Sequence, residues 1–175
     1  MGAAKLAMTD RMLSDIRHHL FGSGGPEEQG GFLLCKGPVA FDTFEATVWL
    51  PLCRDDYVEQ AEDYLELTDA ARARVIKAAH DHGGCLVELH SHPSSRPACF
   101  SLADLAGLRE FVPHVRWRLK GKPYLALVFG TTSFDGLAWV DGAKRAVAVG
   151  ELITSTGPIA ATGLSARIYG EFEHA

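Results

Sequence analysis

No apolar run in this 175-residue chain comes near the length needed to cross a bilayer. Nor do the first ten residues offer an apolar stretch with a small-residue cleavage site, so no secretory leader is expected. Gly2 invites a lipid-attachment reading, but Leu6 stands where that motif wants Ser or Thr. The four cysteines, Cys35, Cys53, Cys85 and Cys99, form no CxxC pair, which excludes a cysteine-built zinc module and favours free thiols in a reducing compartment. There is no surplus of positive charge. The net charge of −5 leaves no electrostatic footprint for nucleic acid or an anionic membrane, and neither is expected as a partner. Internal repeats and low-complexity blocks are absent as well. A cytoplasmic location is expected.

What remains is an ordinary globular composition, 47% hydrophobic and 22% charged, in a chain long enough to bury one real core. Leu13, Ile16 and Leu20 share one face of a helix over residues 9–21, capped by Thr9 or Asp10. A glycine-rich loop follows. Gly31 to Lys36 reads as a strand, Gly37–Pro38 as a turn, and Val39 to Leu50 as a second strand. The stretch 54–62 is acidic and expected on the surface, with a short strand at Tyr64 to Leu67. Thr68 or Asp69 caps a helix over residues 70–81, which Gly83–Gly84 stops. Cys85 to His92 is a strand, and Ser101 to Glu110 a helix with Ser101 as its N-cap. Strands at Tyr124 to Phe129, Phe134 to Val140 and Ala146 to Ile153 complete a domain of residues 1–153. Residues 154–175, rich in Gly, Ser, Thr and Ala, show no period and read as a tail of unknown role. Strands interleaved with three helices predict an α/β or α+β sandwich.

The chemistry concentrates in Glu88-Leu89-His90-Ser91-His92-Pro93 and in Ser101-Leu102-Ala103-Asp104. On a strand, residues two apart project from the same face, so His90 and His92 present two imidazoles to one point. Pro93 cannot donate to the ladder and turns the chain away. Asp104 then returns on the first turn of a helix. Two imidazoles and a carboxylate suit Zn2+, and three protein ligands leave a fourth position for water. Hydrolysis also needs an acid–base to move the water's proton to the leaving group. Glu28, just ahead of Gly31-Phe32-Leu33-Leu34, sits at the mouth of a buried strand and fills that role. The hydroxyl of Ser101 can be aimed at the oxygen that gains charge in a tetrahedral intermediate.

Glu28-x-x-Gly31, His90-Ser91-His92-Pro93 and Ser101-x-x-Asp104 together resemble the JAMM (MPN+/JAB) metalloprotease family, and within it bacterial JAB proteins of ubiquitin-like conjugation operons. The loop Pro93 to Phe100 is one residue longer than the family usually has, while the Ser-x-x-Asp helix start is intact. The resemblance implies a cytidine-deaminase-like α/β sandwich around a curved mixed sheet flanked by helices. It implies His90, His92 and Asp104 as zinc ligands, Glu28 as acid–base and Ser101 as oxyanion donor. It also implies an isopeptidase that cleaves a ubiquitin-like protein from a conjugate or precursor, with activating and conjugating enzymes of the same pathway as possible partners. Relatives that cut sulfur-carrier proteins or small peptides supply one alternative, and non-catalytic MPN scaffolds another.

Other residues compete for attention. Glu27 lacks the offset from Gly31, and Glu88 shares the strand face of His90 and His92, where it is expected to orient a ligand or join a buried polar cluster. His80-Asp81-His82 falls at a helix C-terminus, where residues two apart diverge, so no metal is assigned to it. His18–His19 reads as a surface pair and Cys99 as a loop thiol. Arg116, Arg118, Lys120 and Lys122 around Trp117 form a basic face, either simply solvated or a dock for an acidic partner surface.

Overall fold

The computed structural model describes residues 2–40, 42–140 and 145–172. Phe41, within the expected second strand, and residues 173–175 of the expected tail lie outside the described residues. The elements run β1 (Ala4–Ala7), α1 (Asp10–Phe21), β2 (Gly30–Ala40), β3 (Thr43–Pro51), β4 (Tyr57–Gln60), β5 (Leu65–Leu67), α2 (Asp69–His82), β6 (Cys85–Ser91), α3 (Leu102–Arg118), β7 (Tyr124–Phe129), β8 (Phe134–Trp139), β9 (Val147–Thr154), β10 (Gly157–Ala160) and α4 (Leu164–Phe172).

Eight strands form one mixed sheet in the order β1-β3-β2-β6-β7-β8-β9-β10, and β1 also pairs with β9, so the sheet curls round on itself. β4 and β5 make a separate hairpin. Alternation along each central strand divides the core in two. Leu33, Val87, Leu89, Leu125 and Leu127 meet Ile16 and Leu20 of α1 on one side. Phe32, Leu86, Tyr124, Ala126 and Val128 meet α2, α3 and α4 on the other. β7, buried along its whole length, serves both faces, as a central strand covered on two sides should. The result is the expected α/β sandwich with a curved mixed sheet flanked by helices.

The helix starts follow local chemistry. Thr9 accepts a bond from the Met12 N–H, and Thr68 from the Ala71 N–H, each satisfying an orphan donor of the first turn. Gly83 closes α2 at φ 72°, a left-handed position that suits glycine.

Three departures from the sequence reading shape the molecule. Gly37–Pro38 is no turn: β2 runs through it, and the pairing with β3 shifts register between Lys36 and Ala40 before resuming at Ala40↔Thr43. α3 continues past Glu110 to Arg118 with Pro113 inside it, because Val115 and Leu119 bury themselves beyond the proline. Residues 154–172 pack as part of the sandwich. β10 pairs antiparallel with β9, and α4 begins where the buried Asp135 carboxylate accepts the N–H groups of Gly163 (3.1 Å) and Ser165 (2.6 Å).

Candidate metal centre

β6 delivers His90 to the face that looks toward α2 and α3. The chain holds its direction for one residue past the strand end, because the His92 N–H donates to the Phe129 carbonyl at 2.8 Å. Beyond Pro93 the loop is pinned by the C-terminal half of the molecule. Ser133 Oγ accepts the Ala98 N–H at 2.9 Å, Thr162 donates to the Ala98 carbonyl at 2.7 Å, and Ser165 Oγ accepts the Phe100 N–H at 3.0 Å. The Phe100 ring then backs His90, with centroids 5.7 Å apart. Ser101 caps α3 through a reciprocal box: its Oγ accepts the Asp104 N–H (3.1 Å), and Asp104 Oδ2 accepts the Ser101 N–H (2.7 Å). The Ser101 hydroxyl also donates to Asp104 Oδ2 at 2.8 Å.

These anchors bring the expected side chains together. His90 Nε2 and His92 Nε2 stand 3.1 Å apart. Asp104 places Oδ1 3.6 Å from His90 Nε2 and Oδ2 3.3 Å from His92 Nε2. Glu28 Oε1 lies 3.3 Å from His92 Nε2. Ligand atoms of Glu28, His90 and His92 all fall within 4.8 Å of one another, a group that could hold a metal ion. The donor set suits zinc. Two nitrogens bound at 2.0–2.1 Å to one tetrahedral ion would stand roughly 3.3 Å apart, close to the separation here.

Glu28 comes from an irregular segment. Its N–H donates to the Ala61 carbonyl at 2.8 Å, and its own carbonyl accepts from Gln60 Nε2 at 2.9 Å. The next residue, Gln29, exchanges bonds with Ser91: its N–H donates to Ser91 Oγ (2.9 Å) and its carbonyl accepts the Ser91 N–H (2.8 Å). A side chain at Gly31 would run into the Trp49 ring and the Leu50 carbonyl, which gives the glycine of Glu28-x-x-Gly31 a steric reason.

Burial and charge set the electrostatics. Burial pushes the Glu28 carboxyl up to about 7, against the pull of His90 and His92. Burial works against a charged His90 ring, but Asp104 outweighs it, with Glu28 and Glu88 adding, and the ring stands at about 9. Burial also opposes ionisation of Asp104, yet His90, His92 and the Ser101 N–H hold it well below the usual carboxylate range.

A cavity of about 1020 Å³ opens from this cluster and is walled by α2, α3 and the β4–β5 hairpin, with Phe32 and Glu88 on the sheet side. Burial raises the Glu88 carboxyl, which accepts a hydrogen bond from the Tyr124 hydroxyl. Glu88 thus belongs to a buried polar pair next to the site. Glu27 is exposed. His80 is exposed beside Asp81, while His82 bonds Thr47 Oγ1 at 2.8 Å, so the second His-x-His does not converge. His19 is not a plain surface residue: it lies 3.0 Å from the Gly30 carbonyl and edge-on to Trp49. Cys99 is half-buried in the loop. In the basic run, Arg116 donates to the Val140 carbonyl and Lys122 to that of Gly83, while Trp117 is exposed with Arg118 over its ring.

Sequence reasoning passed over Tyr57, Gln60 and Ser91. Only Ser91 carried a signal, as the residue between the two histidines whose side chain must face the other way.

No curated protein matches this chain. The solution structure of protein DSY2949 from Desulfitobacterium hafniense is similar in fold, with a TM-score of 0.54 at 16% identity, covering 86% of this chain and 92% of that one. Residues 9–140 match the family described as prokaryotic homologs of the JAB domain. Since that match takes in most of the chain, from α1 through β8, this protein belongs to the prokaryotic JAB-domain family.

Proposed function

We propose that this protein is a zinc-dependent isopeptidase or peptidase that releases a ubiquitin-like protein from a conjugate or precursor. The observation that carries the reading is the convergence of His90 Nε2, His92 Nε2 and the Asp104 carboxylate beside the buried carboxyl of Glu28. His90, His92 and Asp104 hold the ion. Bound there, zinc would supply a Lewis acid for the scissile carbonyl and the attacking water.

Glu28 takes a proton from the attacking water as the new C–O bond forms, then gives it to the amine nitrogen as the C–N bond breaks. A carboxyl held at about 7 is suited to both halves of that exchange, because neither its charged nor its neutral form is strongly preferred near neutral pH. Ser101 Oγ–H, now donated to Asp104, turns to the substrate oxygen as charge develops there. The cavity between α2 and α3 receives an extended segment of the substrate, with Ile76, Leu108 and Phe111 against its apolar side chains.

The test is incubation of the zinc-loaded protein with ubiquitin-like fusions ending in Gly-Gly, read by mass spectrometry. Release after the terminal glycine of the folded partner supports the proposal. Cleavage of short peptides alone would favour a small-peptide substrate. No cleavage, by a protein that retains zinc, would favour a scaffold.

A further inference from the structure

We propose that Gln60 is a positioning residue, which fixes Glu28 for proton transfer by tying its backbone to the β4–β5 hairpin. The inference rests on the acid–base role of Glu28 proposed above. Residues 22–29 have no regular hydrogen-bond ladder of their own, so the carboxyl of Glu28 is only as well placed as the groups that hold its main chain.

On one side, Ser91 holds Gln29. On the other, both backbone polar groups of Glu28 go to adjacent residues of the hairpin: its N–H to the Ala61 carbonyl and its carbonyl to Gln60 Nε2. The orientation of the Gln60 amide is dictated rather than free. Arg54 Nη1, which can only donate, lies 3.2 Å from Gln60 Oε1, so the amide nitrogen is turned toward Glu28. Tyr57, at the start of the same hairpin, meets Gly30 directly: its hydroxyl accepts the Gly30 N–H at 2.8 Å. Gly30 is in turn the cross-strand partner of His90. One short hairpin therefore sets the position of Glu28 and of the strand end that faces the metal-ligating histidine.

The hairpin is itself rooted in the scaffold. Asp56 Oδ1 pairs with Arg74 of α2 at 2.9 Å, and the Asp56 carbonyl accepts the N–H of Thr68, the cap of α2. The rigid element behind Glu28 is thus α2, acting through a two-stranded strap, while the histidines ride on the main sheet. Gln60 itself bonds Glu28 and Arg54 and none of the zinc ligands, so its hold on Glu28 can be loosened while the histidines keep their places on the sheet.

Gln60→Met keeps the length of the side chain and removes the donor. Amide hydrogen exchange of the metal-free protein should then quicken at least tenfold over residues 27–30, while β6 and α3 stay as protected as in the wild type. In the zinc-loaded protein kcat should fall about tenfold, with KM and zinc affinity unchanged. Gln60→Asn, which retains an amide on a shorter stem, should recover part of the loss. Unchanged exchange over residues 27–30 overturns the proposal, as does a fall in kcat that comes only with lost zinc. If the wild-type protein cleaves nothing, the function proposed above fails, but the exchange result still decides whether Gln60 holds Glu28.

Discussion

The carboxylate of Glu28 and the imidazole of His92 stand 3.3 Å apart, Oε1 to Nε2, although the two residues arrive from different parts of the chain. That separation leaves two assignments for Glu28, a metal ligand or the group that moves the proton, and they lead to opposite outcomes on substitution. Asp104 already offers a carboxylate to both histidines from the first turn of a helix, a more rigid perch than the irregular segment that carries Glu28. On this account Glu28→Gln retains zinc and loses turnover by roughly 100- to 10,000-fold. Metal analysis and a cleavage assay on the same sample check both halves.

His92→Ala and Asp104→Ala should each abolish stoichiometric zinc. Asp104→Ala has a further cost, because it removes half of the capping box at the start of α3 and lowers stability by about 1 kcal/mol. Zinc titration followed by thermal unfolding separates the two effects.

Ser101→Ala distinguishes a cap from an oxyanion donor. Loss of the cap alone reduces stability by about 1 kcal/mol and leaves turnover near wild type. The proposed mechanism predicts in addition a fall in kcat of roughly 100-fold or more. Steady-state kinetics beside a melting curve gives the answer.

Without metal, stability should decline as pH rises. The folded protein holds a proton on His90 up to about 9, against the ordinary 6.5, so that contribution is complete below about 6.5 and is lost as pH climbs through about 9. Glu28 acts in the same direction lower down, its contribution being lost between 4.5 and about 7. Zinc requires deprotonated histidines, so the zinc-loaded protein should gain most from its ion at high pH. Melting temperatures with and without zinc at pH 6 and pH 9 should diverge, and parallel curves would count against the arrangement.

The C-terminal segment is predicted to be indispensable to the domain. Asp135→Ala strips the N–H groups of Gly163 and Ser165 of their buried acceptor and should cost about 2 kcal/mol. Ending the chain at residue 153 removes Ser165 from the Phe100 N–H and Tyr169 from its edge-on contact with Trp139. Circular dichroism of that shortened chain should show a lower and broader transition.

The parts of this molecule that were legible in sequence are those governed by local rules. Helical spacing and caps placed α1 and α2, strand alternation put His90 and His92 on one face, and the Ser101–Asp104 box announced the start of α3. What escaped depends on distant partners. α4 needs Asp135 from β8 to satisfy its first turn, and nothing in a run of Gly, Ser and Thr signals that supply. α3 passes through Pro113 because the buried side chains beyond it outweigh a missing donor. The hairpin that supports Glu28 does so through the Gln60 amide, the Tyr57 hydroxyl and the Ala61 carbonyl, all aimed at main-chain groups of residues 28 and 30 that carry no residue-specific pattern, and its acidic composition reads as plain surface.

The most direct test is a crystal structure of the zinc-loaded protein with anomalous scattering recorded at the zinc edge. One ion is predicted, bound at about 2.0–2.2 Å by His90, His92 and Asp104, with Glu28 close by but outside bonding distance and one position open. An ion ligated by Glu28 in place of Asp104, or one enclosed by four protein ligands, would contradict the account.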